Sequence, residues 1–170
     1  MSFSLIPDIL LNRYAQLKPA WLKERGITLL LSDLDFTLAP KSVRRPDDTL
    51  KAWIQSLKEE GITFVIISNN RSPARVEEYC AELGVSYQGH AGKPSPRGLL
   101  AAMEKNGTGR QNTAMLGDKL LTDVLAARRA GVLSLMVEPV GGAVTPWQKV
   151  LHALQRPFKA LCPVDLRKEV

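Results

Sequence analysis

Residues 27–38 read ITLLLSDLDFTL, an apolar run that passes directly into two carboxylates one residue apart. The run has the short, two-sided hydrophobic character of a strand that is buried on both faces of a parallel sheet. In an extended backbone Asp33 and Asp35 point to the same side, so both carboxylates can face one small space. We therefore take this stretch as the first strand of the core, with a candidate site at its end.

Four further apolar runs repeat this pattern, at 62–67, 85–87, 114–116 and 132–137. Helical patterns lie between them: one is capped by Asp48, one begins at Pro73, and two cover 99–103 and 120–130. Strands and helices that alternate with short connections predict βαβ units. The expected fold is α/β, a doubly wound, Rossmann-like parallel five-stranded sheet with helices on both faces.

The chain has 170 residues, of which 45% are apolar and 24% are charged, which is typical of one compact domain over 1–170. Within it we expect a catalytic core at 27–138, an N-terminal amphipathic helical segment at 1–26 and a C-terminal amphipathic helix at 145–161. Two cysteines cannot form a disulfide framework, and residues 1–17 lack the features of a signal peptide. We therefore expect a cytoplasmic protein that is at most peripheral to a membrane.

The formal net charge is +6, which favours an anionic partner such as a phosphorylated metabolite, an acidic lipid or a nucleic acid. The basic residues are scattered and are not interleaved with aromatic residues, as a single-strand binder would require. We therefore expect no nucleic acid partner, and an ordinary solvated basic surface remains an alternative.

Polar residues follow the later apolar runs at the points where the strands should end. Ser68 and Asn69 follow the second run, Lys93 follows the third between a glycine and a proline, and Asp118 ends the fourth. Asp123 comes about one helical turn after Asp118. Each of these residues alone has an ordinary interpretation, as a turn, a solvated lysine or a helix cap. Together they lie where the carboxyl ends of parallel strands converge on one site.

These residue types suit phosphoryl chemistry. One carboxylate of the first pair can attack phosphorus or bind a hard cation, and the other can carry a proton. Ser68 and Asn69 can cradle phosphate oxygens, and Thr37 offers a further hydroxyl. Mg²⁺ needs one or two carboxylates, which Asp118 and the first pair can supply. Asp123 can orient these groups or pair with the lysine.

The ordered set DLDFTL, SNN, GKP and GDKLLTD resembles the haloacid dehalogenase-like phosphatases over about residues 27–138. The second and fourth motifs are most similar to subclass IIIA, the YqeG-like proteins, whose eukaryotic relatives are phosphatidylglycerophosphate phosphatases. The resemblance implies that Asp33 attacks the phosphoryl group to form an aspartyl phosphate and that Asp35 acts as general acid and then general base. It further implies a Mg²⁺ ion held by Asp33, the Asp35 backbone carbonyl and Asp118, phosphoryl binding by Ser68 and Lys93, and support from Asp123.

Two residues depart from the family pattern. Phe36 stands where the family usually has glycine or asparagine, and Lys119 stands where relatives often have a neutral residue. The segments 38–68 and 70–93 are too short for a large cap domain, so the site should be open to large substrates such as a lipid headgroup or a phosphoprotein.

Apolar residues recur at helical spacing near both chain ends, over 5–17 and 147–161, with basic residues beside them. Such helices either lie in the interface of an anionic phospholipid membrane or pack on the sheet or against another subunit. The expected function is a Mg²⁺-dependent phosphomonoester hydrolase with phosphatidylglycerophosphate as a candidate substrate. The alternatives are a phosphatase of a soluble metabolite or phosphoprotein, and a non-catalytic partner of a GTPase or ribosomal component.

Overall fold

The computed structural model describes residues 4–69, 73–141 and 145–168, and its centre is a sheet of seven parallel strands. In chain order the strands are β1 (Ile9–Leu11), β2 (Leu29–Ser32), β3 (Thr63–Ile67), β4 (Ser86–Gln88), β5 (Thr113–Gly117), β6 (Leu133–Val137) and β7 (Val164–Asp165). Across the sheet their order is β4-β3-β2-β5-β6-β1-β7. The strand order reverses between β2 and β5, which is where a doubly wound sheet opens a crevice at its carboxyl edge.

Helices cover both faces of this sheet, as the alternating pattern predicts. Side chains of the first three helices pack on one face together with Leu30 of β2, and those of the fourth and fifth helices pack on the other face together with Leu31. The helices are α1 (Pro19–Glu24), α2 (Asp48–Glu59), α3 (Pro73–Leu83), α4 (Arg97–Lys105), α5 (Leu125–Ala130) and α6 (Pro146–Ala160). A π-helical turn, Leu120–Val124, leads from β5 into α5.

Local chemistry explains where the elements begin and end. All four residues of β2 are buried, which is why the run reads apolar on both sides. The cap of α2 is Asp47, whose side chain accepts a hydrogen bond from the Leu50 amide at 2.8 Å, and Asp48 is the first helical residue. Gly131 ends α5 with a φ of 75°, a conformation that glycine adopts without steric cost.

The prediction of an amphipathic helical segment at residues 1–26 is wrong for the middle of that segment. Ile9–Leu11 is a strand, β1, which pairs with β6, and the described part of the segment is helical only in a short turn at Tyr14–Gln16 and in α1. Three consecutive buried apolar residues need contacts on both faces, which the sheet provides and a surface helix does not. The apolar residues of the N-terminal segment therefore pack in the core.

The predicted strand number, five, is also wrong, because β1 and β7 extend the sheet beyond β6 to seven strands. Val164–Asp165 has only two residues and pairs with β1, so no periodicity marks it in the sequence. The α/β class itself is confirmed.

No cap domain is present in the described chain. Between β2 and β3 the chain forms a loop and α2, and between β3 and β5 it forms α3, β4 and α4 with short connections. Among the described helices, none has the length and apolar character needed to cross a bilayer.

Candidate active site

Four acidic or basic side chains meet at the carboxyl edge of the sheet beside β2 and β5. Asp33 follows β2 directly, and its amide donates to the carbonyl of Leu116 in β5 at 2.9 Å. Asp118 follows β5, Asp123 lies in the π-helical turn, and Lys93 reaches in from the loop between β4 and α4. Chain topology thus collects residues that are up to 90 positions apart in sequence.

Three carboxylates of this group form one cluster. Ligand oxygens of Asp33, Asp118 and Asp123 all lie within 4.8 Å of one another. Burial, with repulsion from Asp123, raises the pKa of Asp118 well above its ordinary value, and burial likewise raises the pKa of Asp123. Buried carboxylates that repel one another, with oxygen ligands only, fit a hard divalent cation. The donor set therefore fits the metal that the sequence analysis implies.

Lys93 is the positive charge at the centre of this cluster. Its side chain is only 2% exposed, and its Nζ lies 3.0 Å from Oδ1 of Asp33 and 2.7 Å from Oδ1 of Asp123. Burial opposes the charged form, but the carboxylates of Asp123 and Asp33 outweigh it and raise the pKa of Lys93 above its ordinary value. The ammonium group therefore stays charged beside Asp33.

Asn69 fixes the loop that carries Lys93. Its side-chain Nδ2 donates to the Lys93 carbonyl at 2.9 Å, and its Oδ1 accepts from the Lys93 amide at 2.9 Å. Asn69 was predicted to contact phosphate, whereas these two hydrogen bonds show that its side chain holds the loop in place. Ser68 is buried at the end of β3, with its amide donating to the Gln88 carbonyl at 3.1 Å. Asn70 lies outside the described residues.

Thr37 and Asp123 hold Asp118 in place. The Thr37 hydroxyl is fully buried and donates to Oδ1 of Asp118 at 3.2 Å, so it orients this carboxylate, although the sequence analysis lists it as a phosphate contact. Oδ2 of Asp123 accepts from the amides of Asp118 and Lys119, both at 3.2 Å. A Cβ at Gly117 would overlap the side chain of Asp123, so this close approach requires glycine.

Phe36 adopts the conformation that explains the usual family residue at its position. Its φ is 64°, in the left-handed region that glycine and asparagine tolerate best. Backbone hydrogen bonds hold it there: its amide donates to Ala39 at 2.8 Å, and its carbonyl accepts from Val140 at 2.7 Å. The ring lies 5.3 Å from Nζ of Lys119 and, with His152 of α6, lines a cavity of about 30 Å³. Phe36 and α6 therefore form one wall of the site mouth.

Asp35 lies apart from the three-carboxylate cluster. Its side chain, 19% exposed, forms an ion pair with Nη1 of Arg75 in the first turn of α3. Arg75 was not among the predicted site residues. The predicted start of α3 at Pro73 puts this residue at the carboxyl edge of the sheet, but nothing in the sequence distinguishes it from the neighbouring Arg71.

A model of the haloacid dehalogenase-like hydrolases matches residues 9–131, which is most of the chain. The chain belongs to this family. This haloacid dehalogenase-like protein is 31% identical over 159 residues to "Probable phosphatase YqeG" of Bacillus subtilis (strain 168), a match that covers 89% of the chain and 92% of the relative. The resemblance derived from the motifs is confirmed, and the protein is a phosphatase.

Solved structures of the same fold include phosphatases from two other bacteria. The cobalt-bound deoxy-D-mannose-octulosonate 8-phosphate phosphatase of Haemophilus influenzae has a TM-score of 0.55 at 15% identity, covering 79% of this chain and 90% of its own. A Moraxella catarrhalis 3-deoxy-D-manno-octulosonate 8-phosphate phosphatase, in complex with magnesium, phosphate and KDO, has a TM-score of 0.50 at 16% identity, covering 85% and 94%. At these identities the likeness shows the haloacid dehalogenase-like fold alone.

Proposed function

We propose that this phosphatase hydrolyses phosphomonoesters in a Mg²⁺-dependent reaction through an aspartyl-phosphate intermediate, with Asp33 as the nucleophile. The observation that carries the proposal is the setting of Asp33: its partly exposed carboxylate lies 3.0 Å from the buried ammonium of Lys93 and beside two buried carboxylates. A partly exposed carboxylate is accessible to substrate, while the neighbouring charges can stabilise a phosphoryl group.

The reaction proceeds in two displacements. A carboxylate oxygen of Asp33 attacks phosphorus, the bond from phosphorus to the ester oxygen breaks, and Asp35, which enters this step in its protonated form, gives its proton to the leaving oxygen. Water then attacks phosphorus in the aspartyl phosphate and loses a proton to the Asp35 carboxylate. The bond from phosphorus to Asp33 breaks, which releases phosphate and regenerates both carboxyl groups.

The proposed Mg²⁺ ligands are a carboxylate oxygen of Asp33, the backbone carbonyl of Asp35 and a carboxylate oxygen of Asp118. When bound, Mg²⁺ neutralises negative charge on the transferring phosphoryl group. Asp123 supports these ligands, since its own oxygens already accept hydrogen bonds from Lys93 and from two backbone amides. Thr37 orients Asp118 through its hydroxyl.

Lys93 and Ser68 are the proposed phosphoryl ligands. Lys93 remains charged and is fixed by two carboxylates, so it needs no reorganisation when a phosphoryl group arrives beside Asp33. Ser68 directly follows β3, the strand next to β2, and so lies at the same edge of the sheet. The assembled group of Asp33, Lys93 and Asp118 argues against the alternative of a non-catalytic partner protein.

The proposed substrate is phosphatidylglycerophosphate, and the main support outside the family resemblance is the outer face of α6. Three large apolar side chains there, Trp147, Val150 and Leu154, and that of Leu161, the residue after the helix, are 48–68% exposed. They recur every three, four or seven residues and so form one stripe. The helix contains no acidic residue, and its Lys149 and Arg156 are exposed to solvent. An exposed apolar stripe on a helix whose exposed charged residues are cations suits an anionic lipid surface.

The buried face of α6 is polar instead. Lys159 is buried and pairs with Glu138 at 2.8 Å, so it is not available to lipid. Leu151 and His152 help to line the cavity beside Phe36, which places α6 next to the site mouth. A membrane bound by the outer face of α6 would therefore lie close to the proposed site.

A phosphate-release assay tests the substrate class. With Mg²⁺, we expect hydrolysis of phosphatidylglycerophosphate in mixed micelles with a higher kcat/KM than that of soluble phosphomonoesters. EDTA should stop the reaction and added Mg²⁺ should restore it, because oxygen ligands favour Mg²⁺ over Zn²⁺. A higher kcat/KM for a soluble ester would support the alternative of a soluble metabolite as substrate. Full activity in chelator would contradict the metal assignment.

A vesicle sedimentation assay tests the α6 surface. We expect binding to phosphatidylglycerol vesicles at low salt, weaker binding at high salt, and little binding to neutral vesicles. Each cation near the surface contributes about 1 kcal/mol, so Trp147→Ala with Lys149→Glu should reduce partitioning by roughly tenfold or more while sparing hydrolysis of 4-nitrophenyl phosphate.

The matched control for that variant is Leu100→Ala with Lys105→Glu, which makes the same kind of change on the exposed side of α4. It should bind vesicles like the wild type. Equal loss in both variants would show a general charge effect. If the wild type sediments with neither vesicle type, the stripe is a surface for protein contacts, and the lipid substrate loses its structural support.

A further inference from the structure

Arg75 links the loop after β2 to the segment before α2. Its Nη1 pairs with Oδ1 of Asp35, and its Nη2 donates to the carbonyl of Val43 at 3.0 Å. The side chain is only 16% exposed, and its Nε is buried with no hydrogen-bond partner among the described residues. A buried N–H without a partner costs stability. The hydrogen bonds to Asp35 and Val43 therefore hold the guanidinium in place although its Nε is left without a partner among the described residues.

The geometry of this ion pair can fix the orientation of the Asp35 carboxyl group, which a charge without a defined donor direction does not do. A guanidinium is a rigid planar donor, and it fixes the direction of a carboxyl group to which it donates. With Oδ1 anchored, rotation of the Asp35 carboxyl is restricted, and the position of its other oxygen is defined. Proton transfer to a leaving oxygen depends steeply on such positioning, and a displacement of about 1 Å can cost roughly 10²-fold in rate.

A second arginine, Arg45, also forms an ion pair near α3, but this pair lies at the surface. Arg45 pairs with Glu82 of α3, but its side chain is 81% exposed, as expected for a surface pair of little energetic weight. Arg75 and Asp35 are both mostly buried at the site mouth. Arg75 lies in α3 and Arg45 pairs with a residue of α3, so the two arginines offer a matched comparison.

We propose that Arg75 is a positioning residue that holds the Asp35 carboxyl in the orientation for proton transfer to the leaving group. This inference rests on the proposed function, in which Asp35 is the general acid and base. It differs from a purely structural role in one respect: the effect of losing Arg75 depends on how much the leaving group needs a proton.

Two aryl esters of similar shape provide the test. The leaving oxygen of 4-nitrophenyl phosphate departs readily as an anion, whereas that of phenyl phosphate depends more on protonation. General acid catalysis contributes about 10²–10⁴-fold, and loss of positioning removes part of it. We therefore expect Arg75→Met to lower kcat about tenfold or more for phenyl phosphate but about threefold or less for 4-nitrophenyl phosphate, with KM little changed.

Further variants separate the possible causes. In an Asp35→Asn background, Arg75→Met should cause little additional loss with phenyl phosphate, because both changes remove the same function. Arg75→Lys should recover part of the lost activity, since it retains charge but not the planar donor pair. Arg45→Met should leave both esters unaffected. If Arg75→Met does not fold, as judged by thermal melting, Arg75→Lys still gives the comparison between the two esters.

Equal losses on the two esters, or a full additional loss in the Asp35→Asn background, would overturn the positioning role and leave the proposed function intact. A wild-type protein that hydrolyses neither ester nor any phosphomonoester would instead refute the proposed function and this inference with it.

Discussion

Asp33→Asn is expected to lower kcat by at least about 10⁴-fold, which is the scale of loss when a catalytic nucleophile is removed. The amide has nearly the shape of the carboxylate but is not a nucleophile. The fold should persist, because Lys93 keeps its 2.7 Å contact with Asp123 and the backbone amide of residue 33 keeps its hydrogen bond to the carbonyl of Leu116. Phosphate release under saturating substrate, together with thermal melting, measures both parts of this expectation.

Asp48→Asn provides the matched control for that variant. Asp48 is an exposed aspartate in the first turn of α2, and the same chemical change there should leave kcat unaffected. A folded Asp33→Asn protein that retains a substantial part of wild-type activity would show that another group attacks phosphorus.

Asp118→Asn should raise the stability of the metal-free protein and remove its stabilisation by Mg²⁺. Burial and the neighbouring acids raise the pKa of Asp118 in the folded state above its unfolded value. The ionised form therefore destabilises the metal-free fold, and this destabilisation begins above the unfolded pKa, grows as pH rises and is complete above the folded pKa. The neutral amide removes it. In EDTA at pH 8 we expect the melting temperature to rise, by about 2–4 °C for each kcal/mol gained.

The same variant should lose the response to Mg²⁺. A ligand that binds only the folded state stabilises it, so the wild-type protein should melt at a higher temperature in Mg²⁺ than in EDTA. Asp118→Asn should show little of this difference and should lose activity by about 10²-fold or more, because a metal ligand is missing. The control Asp48→Asn should behave like the wild type in both conditions. An unchanged Mg²⁺ response in Asp118→Asn would remove Asp118 from the metal site.

The sequence predicts the α/β class because each central strand is buried on both faces, so that local composition alone marks β2, β3 and β6. It does not predict β1 or β7. Ile9–Leu11 is a strand only because β6 lies beside it, and the apolar residues around it also match a helical period. The difference between these cases is whether the signal for a strand is local or depends on a distant partner.

The candidate site shows the same division. The positions of Asp33, Lys93 and Asp118 follow from strand ends that the sequence marks, and the structure brings these residues together. The particular contact that each side chain makes does not follow. Whether the Asn69 amide faces a phosphate or the Lys93 backbone depends on how one loop lies against another. The sequence does not mark Arg75 for the same reason, since its partner, Asp35, is 40 residues away.

The central claim is a covalent intermediate at Asp33, and chemical trapping tests it most directly. The protein would be mixed with Mg²⁺ and a phosphomonoester that it hydrolyses, and the reaction would be quenched during turnover. Treatment with borohydride then reduces an acyl phosphate to an alcohol. Peptide mass spectrometry would then locate the product. We expect reduction of the side chain at position 33, in a substrate-dependent manner, and none in Asp33→Asn. A turning-over protein with no modification at position 33, or with reduction at Asp35 or Asp118 instead, would contradict the account.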